Sequence, residues 1–322
     1  MYNYKQSTKI FKRNCDTMKK IYKLFKFIIF LFILLASITF FKSINRKEFM
    51  SNSSAKIYIN TSDKISKDIR LQINWKEVAA LHGFYLKNDF SNVSEEEVLK
   101  ITKKFTAENT SNNKFKASNY KLISLEKVMN NLSFDEKDKE KVYKNLDLLK
   151  NKYIVDVSNE KKDFINSLTP EAKSIYKEYD ILPSIAIGQA ILESDWGRSK
   201  LSSNYNNLFG IKATKSWTGK TVKMETSENY DDKIVDVFRA YDSRDDSLKN
   251  YAKFLKDNSR YKQNGVFNSK TYIEQANAIT KAGYSTKIDK NGNHMYSNLL
   301  TEIIREYNLQ LIDNEVQSEY FK

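Results

Sequence analysis

The chain has one cysteine, Cys15, and two histidines, His82 and His294, in 322 residues. A lone thiol forms no internal disulfide, so the fold must be held by its core. His82 and His294 lie far apart in the sequence, which argues against a His-based zinc site and against Cys-His catalysis. G-x-S-x-G, the P-loop and G-x-G-x-x-G are also absent. The chemistry left is that of carboxylates with amides and aromatic rings around them, and no metal or cofactor is expected.

Charge is unevenly spread. Of the formal net charge of +14, about half lies before residue 27, in Lys5, Lys9, Lys12, Arg13, Lys19, Lys20, Lys23 and Lys26 against Asp16. A nucleic-acid reading of the basic balance loses its force there. The run from Phe27 to Phe41 carries no charge, and with Phe25 and snorkelling Lys26 and Lys42 it reaches the length of a membrane span. The positive-inside rule puts residues 1–24, a basic tail holding Cys15, in the cytoplasm and everything after Lys42 outside. A cleaved signal peptide is the rival reading, but no clean A-x-A-like site follows, so residues 25–42 are read as an uncleaved transmembrane signal anchor.

Residues 43–70 are rich in Ser, Asn and Lys and read as a linker, with a weak alternation at Ile57, Tyr58 and Ile59. From 71 to 156 the pattern is helical and predicts a small all-α accessory module. Asn74 caps a first segment, Ser94 with Glu97 and Ser133 with Glu136 form capping boxes, and Ser124 starts a short helix. His82 sits in the first of these helices and reads as a structural histidine. Thr169, Pro170 and Glu171 are cap, first-turn proline and first-turn acid of a helix ending before Pro183.

The stretch IAIGQAILESDWGRS, from Ile185 to Ser199, organises the rest. Residues 183–192 carry no charge and are apolar nearly all round, which predicts a buried helix with Pro183 at its start and Gly197 just past its end. Glu193 then leaves the core at the C-terminal end. The helix dipole and an apolar surround both favour its neutral form there, as a general acid requires. The alternative is that Glu193 and Asp195 lie at an exposed helix end, solvated or paired with Arg198.

Beyond the loop LSSNYNNLFGIK, the period changes to two. Val222 and Met224 form one arm of a β-hairpin, Asn229 onward the turn, and Ile234 to Phe238 the return. A hairpin lobe over a helical lobe makes a cleft, with Glu193 on the floor and Glu225 or Glu228 on the roof. Trp196, Tyr205, Phe209, Trp217, Tyr284 and Tyr296, with Asn206 and Asn207, suit a carbohydrate site, although Phe209 serves equally well as core. Helices follow through Leu248 and Tyr251, through Tyr272 and Ile279, and through Leu299 and Ile304.

Residues 163–212, with QAILESDWG and NNLFGIK, followed by the hairpin, FRAYDS and AGYST, closely resemble glycoside hydrolase family 73, the peptidoglycan N-acetylglucosaminidases. The resemblance covers close to half the chain. It implies a mainly α, lysozyme-like catalytic domain with a small β-hairpin lobe over residues 160–313, leaving 314–322 as a C-terminal tail. It further implies Glu193 as general acid, and the stretch TSEN points to Glu228 as the second carboxylate, with Glu225 as the alternative. Tyr284 matches the family's aromatic residue. Trp196, Asn207, Phe209, Trp217 and Tyr296 are the remaining candidates for sugar contact.

The expectation is a membrane-anchored, outward-facing endo-β-N-acetylglucosaminidase acting on the GlcNAc-β-1,4-MurNAc bond of peptidoglycan. Its expected partners are glycan strands and anionic wall polymers, with no nucleic acid. A muramidase or lytic transglycosylase on a related fold, and a non-catalytic peptidoglycan-binding or assembly protein, are the alternatives.

Overall fold

The computed structural model describes residues 28–29, 31–34, 48–109, 119–228, 232–285 and 295–320, with the side chains of 226–228, 232–234 and 320 left out. The basic tail 1–24, most of the span at 25–42, the hairpin turn at 229–231, and His294 lie outside the described residues. Residues 28, 29 and 31–34 are helical and exposed. Among the described residues no helix is long and apolar enough to cross a membrane.

In chain order the elements are α1 (Asn52–Ile69), α2 (Trp75–Tyr85), α3 (Glu95–Thr102), β1 (Thr106–Glu108), β2 (Tyr120–Leu122), α4 (Leu125–Asn131), α5 (Glu136–Lys150), α6 (Asn159–Tyr179) and α7 (Pro183–Ser194). Then come α8 (Lys200–Tyr205), β3 (Thr221–Glu228), β4 (Asp232–Arg239), α9 (Arg244–Asp257), α10 (Ser259–Gln263), α11 (Tyr272–Lys281), α12 (Met295–Glu306) and α13 (Gln310–Tyr320). The predicted hairpin is β3–β4, antiparallel with Val222 opposite Phe238 and Glu228 opposite Asp232. A second hairpin, β1–β2, interrupts the module predicted to be all helical.

Several boundaries move, each for a physical reason. The predicted linker 43–70 contains α1, capped by the Ser51 side chain accepting from the Ser54 N–H. Its buried face is Ala55, Tyr58, Ile59, Ser62, Ile65, Ser66 and Ile69, a helical repeat partly written in serine. At two of the buried serines of α1 the hydroxyl finds backbone: Ser66 donates to Ser62 O at 2.6 Å and Ser54 to Phe90 O at 3.0 Å. The segment at 136–150 is capped by Asp135, not Ser133, which takes a left-handed φ of 58°. Helix α6 begins eleven residues before Pro170, at Asn159. Thr169, expected as its cap, instead donates to Ile165 O at 2.8 Å inside the helix. The expected tail 314–322 is largely α13, with Val316 and Gln317 buried. His82 is buried as expected, its Nδ1 2.8 Å from the Tyr58 hydroxyl.

Residues 50–322 cluster as one unit, so the accessory module and the predicted catalytic domain are not separate bodies. Polar contacts stitch them together. The carboxylate of Asp63, on α1, accepts from Tyr272 on α11 at 2.5 Å and from Arg305 on α12 at 2.9 and 3.0 Å. Trp75 Nε1 donates to Asn308 at 3.2 Å, and Gln72 N donates to Gln317 Oε1 at 2.6 Å.

Helix α7 lies at the centre. Its residues from Pro183 to Ile191 are all buried. Each fully buried isoleucine contributes about 1.5–3 kcal/mol over its exposed state, so Ile185, Ile187 and Ile191 fix the axis of this helix in the core. Leu182, at the N-cap, offers no side-chain acceptor. Two other helices supply what is missing. Gln275 of α11 accepts the Leu182 N–H at 2.7 Å. Asp313 of α13 accepts the Ser184 N–H at 2.9 Å and meets the Ser184 hydroxyl at 2.5 Å.

Two predictions follow from this packing. If α1 is part of the body, Asp63→Ala should lower stability by roughly 2–3 kcal/mol in urea denaturation, whereas a residue in a linker would give no change; Arg305 keeps some water contact, which tempers the loss. Burial pushes Asp313 up to about 7. Its folded value lies above that of the unfolded chain, so its stabilising contribution is complete below about pH 4 and is lost as pH rises through about 7. Asp313→Asn keeps an acceptor for the Ser184 N–H and should flatten this component of the stability curve between those limits, read by urea midpoints across pH.

Candidate active site

Helix α7 stops in an unusual turn. Asp195, Trp196 and Gly197 take φ values of 50°, 61° and 76° in succession. The two non-glycine residues are each held against a left-handed cost of about 1–2 kcal/mol. The turn is secured by Asp195 N and Trp196 N donating to Ile191 O and by Gly197 N donating to Ser194 Oγ at 2.8 Å. Glycine is required at the third position twice over, because a Cβ there would lie 2.8 Å from the Phe164 ring as well as at positive φ.

This turn sends neighbouring side chains in different directions. Glu193 is exposed and lines a cleft of about 700 Å³. Asp195 pairs with Arg198 at 2.7 Å on the surface. The structure thus separates the two carboxylates: Asp195 takes the arginine partner, while Glu193 Oε1 accepts from the Tyr296 hydroxyl at 2.8 Å. Trp196, expected at the cleft, turns away and is not among its lining residues. It packs edge-on against Phe164 at 5.9 Å and Tyr307 at 4.7 Å, with Lys161 Nζ 4.8 Å from its ring.

Tyr284, Tyr296 and Phe209 join Glu193 around the cleft. The rings of Tyr284 and Tyr296 lie 5.4 Å apart, and Phe209 stacks on Tyr251 at 4.0 Å. Phe209 is 6% exposed, so it serves as core and cleft wall at once. Burial, and next the Glu193 charge, hold the Tyr296 hydroxyl far above the ordinary tyrosine range; burial does the same for Tyr251 and Tyr284. All three therefore stay protonated donors at any working pH.

Asn207 and Trp217 do not line this cleft. The buried amide of Asn207 is used on four backbone groups, donating to Ile211 O and Arg239 O and accepting from Phe209 N and Ile211 N. It shapes the loop that carries Phe209 and is already satisfied without sugar. Trp217 is not among the cleft-lining residues; the Arg239 guanidinium sits 4.4 Å over its ring, and its Nε1 donates to Lys220 O at 3.0 Å.

The hairpin docks against the same loop. Arg239 N donates to Ile211 O, Ala213 N donates to Val237 O, and Lys212 pairs with Asp236 at 2.6 Å. Glu228 ends β3; its side chain lies outside the described residues. Glu225 is exposed at the third pair back from that end.

The sequence reading missed Lys212, Phe254, Arg260 and Tyr261, which also line the cleft. It also missed Gln189, buried beneath it and bonded to Tyr296 at 2.8 Å. Only Gln189 left a trace in the sequence, lying four residues before Glu193 on the same helical face. A second recess of about 540 Å³, lined by Leu71, Phe105, Lys121 and Glu319 among others, lacks a comparable carboxylate and tyrosine arrangement.

Comparison with known proteins gives the cleft a family. The glucosaminidase family model, described as mannosyl-glycoprotein endo-beta-N-acetylglucosaminidase, matches residues 169–309. Exo-glucosaminidase LytG of Bacillus subtilis is 37% identical over 161 residues, 48% of this chain and 54% of that protein. Peptidoglycan hydrolase FlgJ of Vibrio parahaemolyticus is 37% identical over 135 residues, 39% of this chain and 42% of its own. The chain thus spans about half the length of these curated relatives. The catalytic domain of the autolysin Auto from Listeria monocytogenes is similar at 30% identity and a TM-score of 0.43, covering 56% of this chain and 98% of that domain. Residues 169–309, which carry α7, the hairpin and the cleft, thus form a glucosaminidase domain of glycoside hydrolase family 73.

Proposed function

We propose that the protein is a cell-wall hydrolase, an endo-β-N-acetylglucosaminidase that cleaves the GlcNAc-β-1,4-MurNAc bond of peptidoglycan. One observation carries the reading: Glu193 enters a cleft floored by tyrosines, with a tyrosine O–H donated to its Oε1, in a domain of glucosaminidase sequence. That bond fixes one oxygen of the carboxyl. Glu193 gives its proton to the glycosidic oxygen as the C–O bond breaks, and negative charge develops on the carboxylate where Tyr296 already donates.

Positive charge develops on the sugar at the same time. Glu228 at the end of β3, or Glu225 nearer the body, stabilises it or activates water, unless the acetamido group of the substrate does so. Tyr284, Tyr296 and Phe209 supply flat faces for pyranose rings. The B. subtilis relative is named an exo-glucosaminidase, so the position of cleavage along the strand is part of the proposal.

Localisation belongs to the same reading. Residues 25–42 anchor the chain with its N-terminus in the cytoplasm and its body outside. Cleavage is then confined to wall next to the membrane, where the excess of lysine favours anionic polymers in a salt-sensitive way.

The chemistry is tested by digesting purified peptidoglycan, reducing the products with borohydride and identifying the reduced sugar by mass spectrometry. Reduced GlcNAc is expected; reduced MurNAc or an anhydro-MurNAc end would replace the proposal with a muramidase or a transglycosylase, and no new ends would leave a binding protein. Glu193→Gln should lower the rate by about 10²–10⁴-fold with the urea midpoint unchanged. Cell fractionation checks the anchor: the full chain should leave membranes with detergent and not with high salt, and removal of residues 1–42 should make it soluble.

A further inference from the structure

Gln189 has no exposed surface, and it lies one helical turn before Glu193. A buried primary amide carries two donors and an acceptor that need partners, so its place among the buried apolar residues of α7 calls for a reason. Its Nε2 donates to the Tyr296 hydroxyl at 2.8 Å, and its Oε1 accepts from the hydroxyl of Tyr251, itself fully buried. Tyr296 in turn donates to Glu193 Oε1 at 2.8 Å. The chain of bonds therefore runs one way, from Tyr251 through Gln189 and Tyr296 to Glu193.

The direction follows from the amide. A tyrosine hydroxyl has one proton to give, and it gives that proton to Glu193 only if something else donates to its oxygen or leaves it alone. With the amide in this orientation, the Gln189 N–H faces the Tyr296 oxygen and excludes the wrong hydroxyl rotamer. Turning the amide over would set its oxygen against Tyr296, draw the phenol proton inward, and leave Glu193 without that donor. Tyr251 blocks this turn, because its hydroxyl needs the acceptor that Oε1 now offers.

We infer that Gln189 is a positioning residue: its amide locks Tyr296 as a donor to Glu193 and so fixes the carboxyl that proposed catalysis requires. The inference rests on Glu193 acting as the acid. Its effect is on the transition state, since the bond from Tyr296 strengthens as Glu193 loses its proton to the glycosidic oxygen. Ground-state stacking of sugar on the rings of Tyr284, Tyr296 and Phe209 does not depend on which way the Tyr296 hydroxyl points.

The test uses the full chain in detergent with soluble disaccharide-repeat glycan fragments as substrate. Gln189→Met should lower kcat by about 10- to 100-fold with KM within about threefold, and Tyr296→Phe should do the same. Because both act on one bond, the double variant should lose no more than about twofold beyond the worse single. Gln189→Glu, whose buried carboxyl is held neutral, offers an O–H to Tyr296 and an oxygen to Tyr251, and should return to within about fivefold of wild type. If Gln189→Met does not fold, Gln189→Glu and Tyr296→Phe decide the matter: a Glu variant as impaired as the Phe variant overturns the inference. So do unchanged kcat in Gln189→Met, a loss confined to KM, or losses that multiply in the double variant. An active Glu193→Gln would instead remove the reading on which the inference rests.

Discussion

The buried contact between Asp313 and the first turn of α7 is the constraint on which the placement of Glu193 depends. A helix N-terminus in the core leaves N–H groups that must find acceptors, and Leu182 supplies none. Asp313 from α13 and Gln275 from α11 meet the first two. Residue 313 lies beyond the end of the family match, so the helix bearing the central carboxylate is finished by a part of the chain outside it. An apolar residue at position 313 would leave the Ser184 N–H and hydroxyl unsatisfied. The cost of burying a carboxyl, visible in its raised titration, is set against that alternative.

The opposite end of α7 is built by another means. Where the N-terminus is closed by side chains reaching in, the C-terminus is closed by backbone held in left-handed geometry at three consecutive residues. A single C′ glycine would end a helix at lower cost. The longer turn achieves a sorting that one glycine does not: Glu193 toward the cleft, Asp195 to Arg198 at the surface, and Trp196 against Phe164 and Tyr307. Strain at Asp195 and Trp196 is repaid by the packing of the indole, and the direction of Glu193 follows.

How much of this was legible in the sequence varies with the kind of signal. The helix bearing Glu193 was legible from its charge-free run with a proline at one end and a glycine past the other, a pattern that left Glu193 open between a cleft and an exposed helix end. The hairpin was legible from its change of period. Helix α1 was not, because its inward face includes Ser54 and Ser66, whose hydroxyls bond to backbone and so count as core only once the fold is known. Trp196 and Asn207 lie off the cleft for a related reason. Residue type suggested sugar contact, but a left-handed step turned one away and four backbone partners occupied the other. Gln189 shows the reverse case, an amide among isoleucines that reads as an anomaly until Tyr296 and Tyr251 arrive from distant helices.

The integration of α1 changes what the N-terminal half of the body does. Asp63 reaches Tyr272 and Arg305, and Arg305 lies on the same helix as Tyr296, the residue that touches Glu193. Tyr272 opens α11, whose Gln275 caps α7. One buried carboxylate on α1 therefore braces both helices that position the cleft, one through its tyrosine and one through its arginine. Burial pushes Asp63 up while Arg305 and Tyr272 pull it back, a balance that holds only with all three in place. A segment with the composition of a tether thus acts as part of the scaffold.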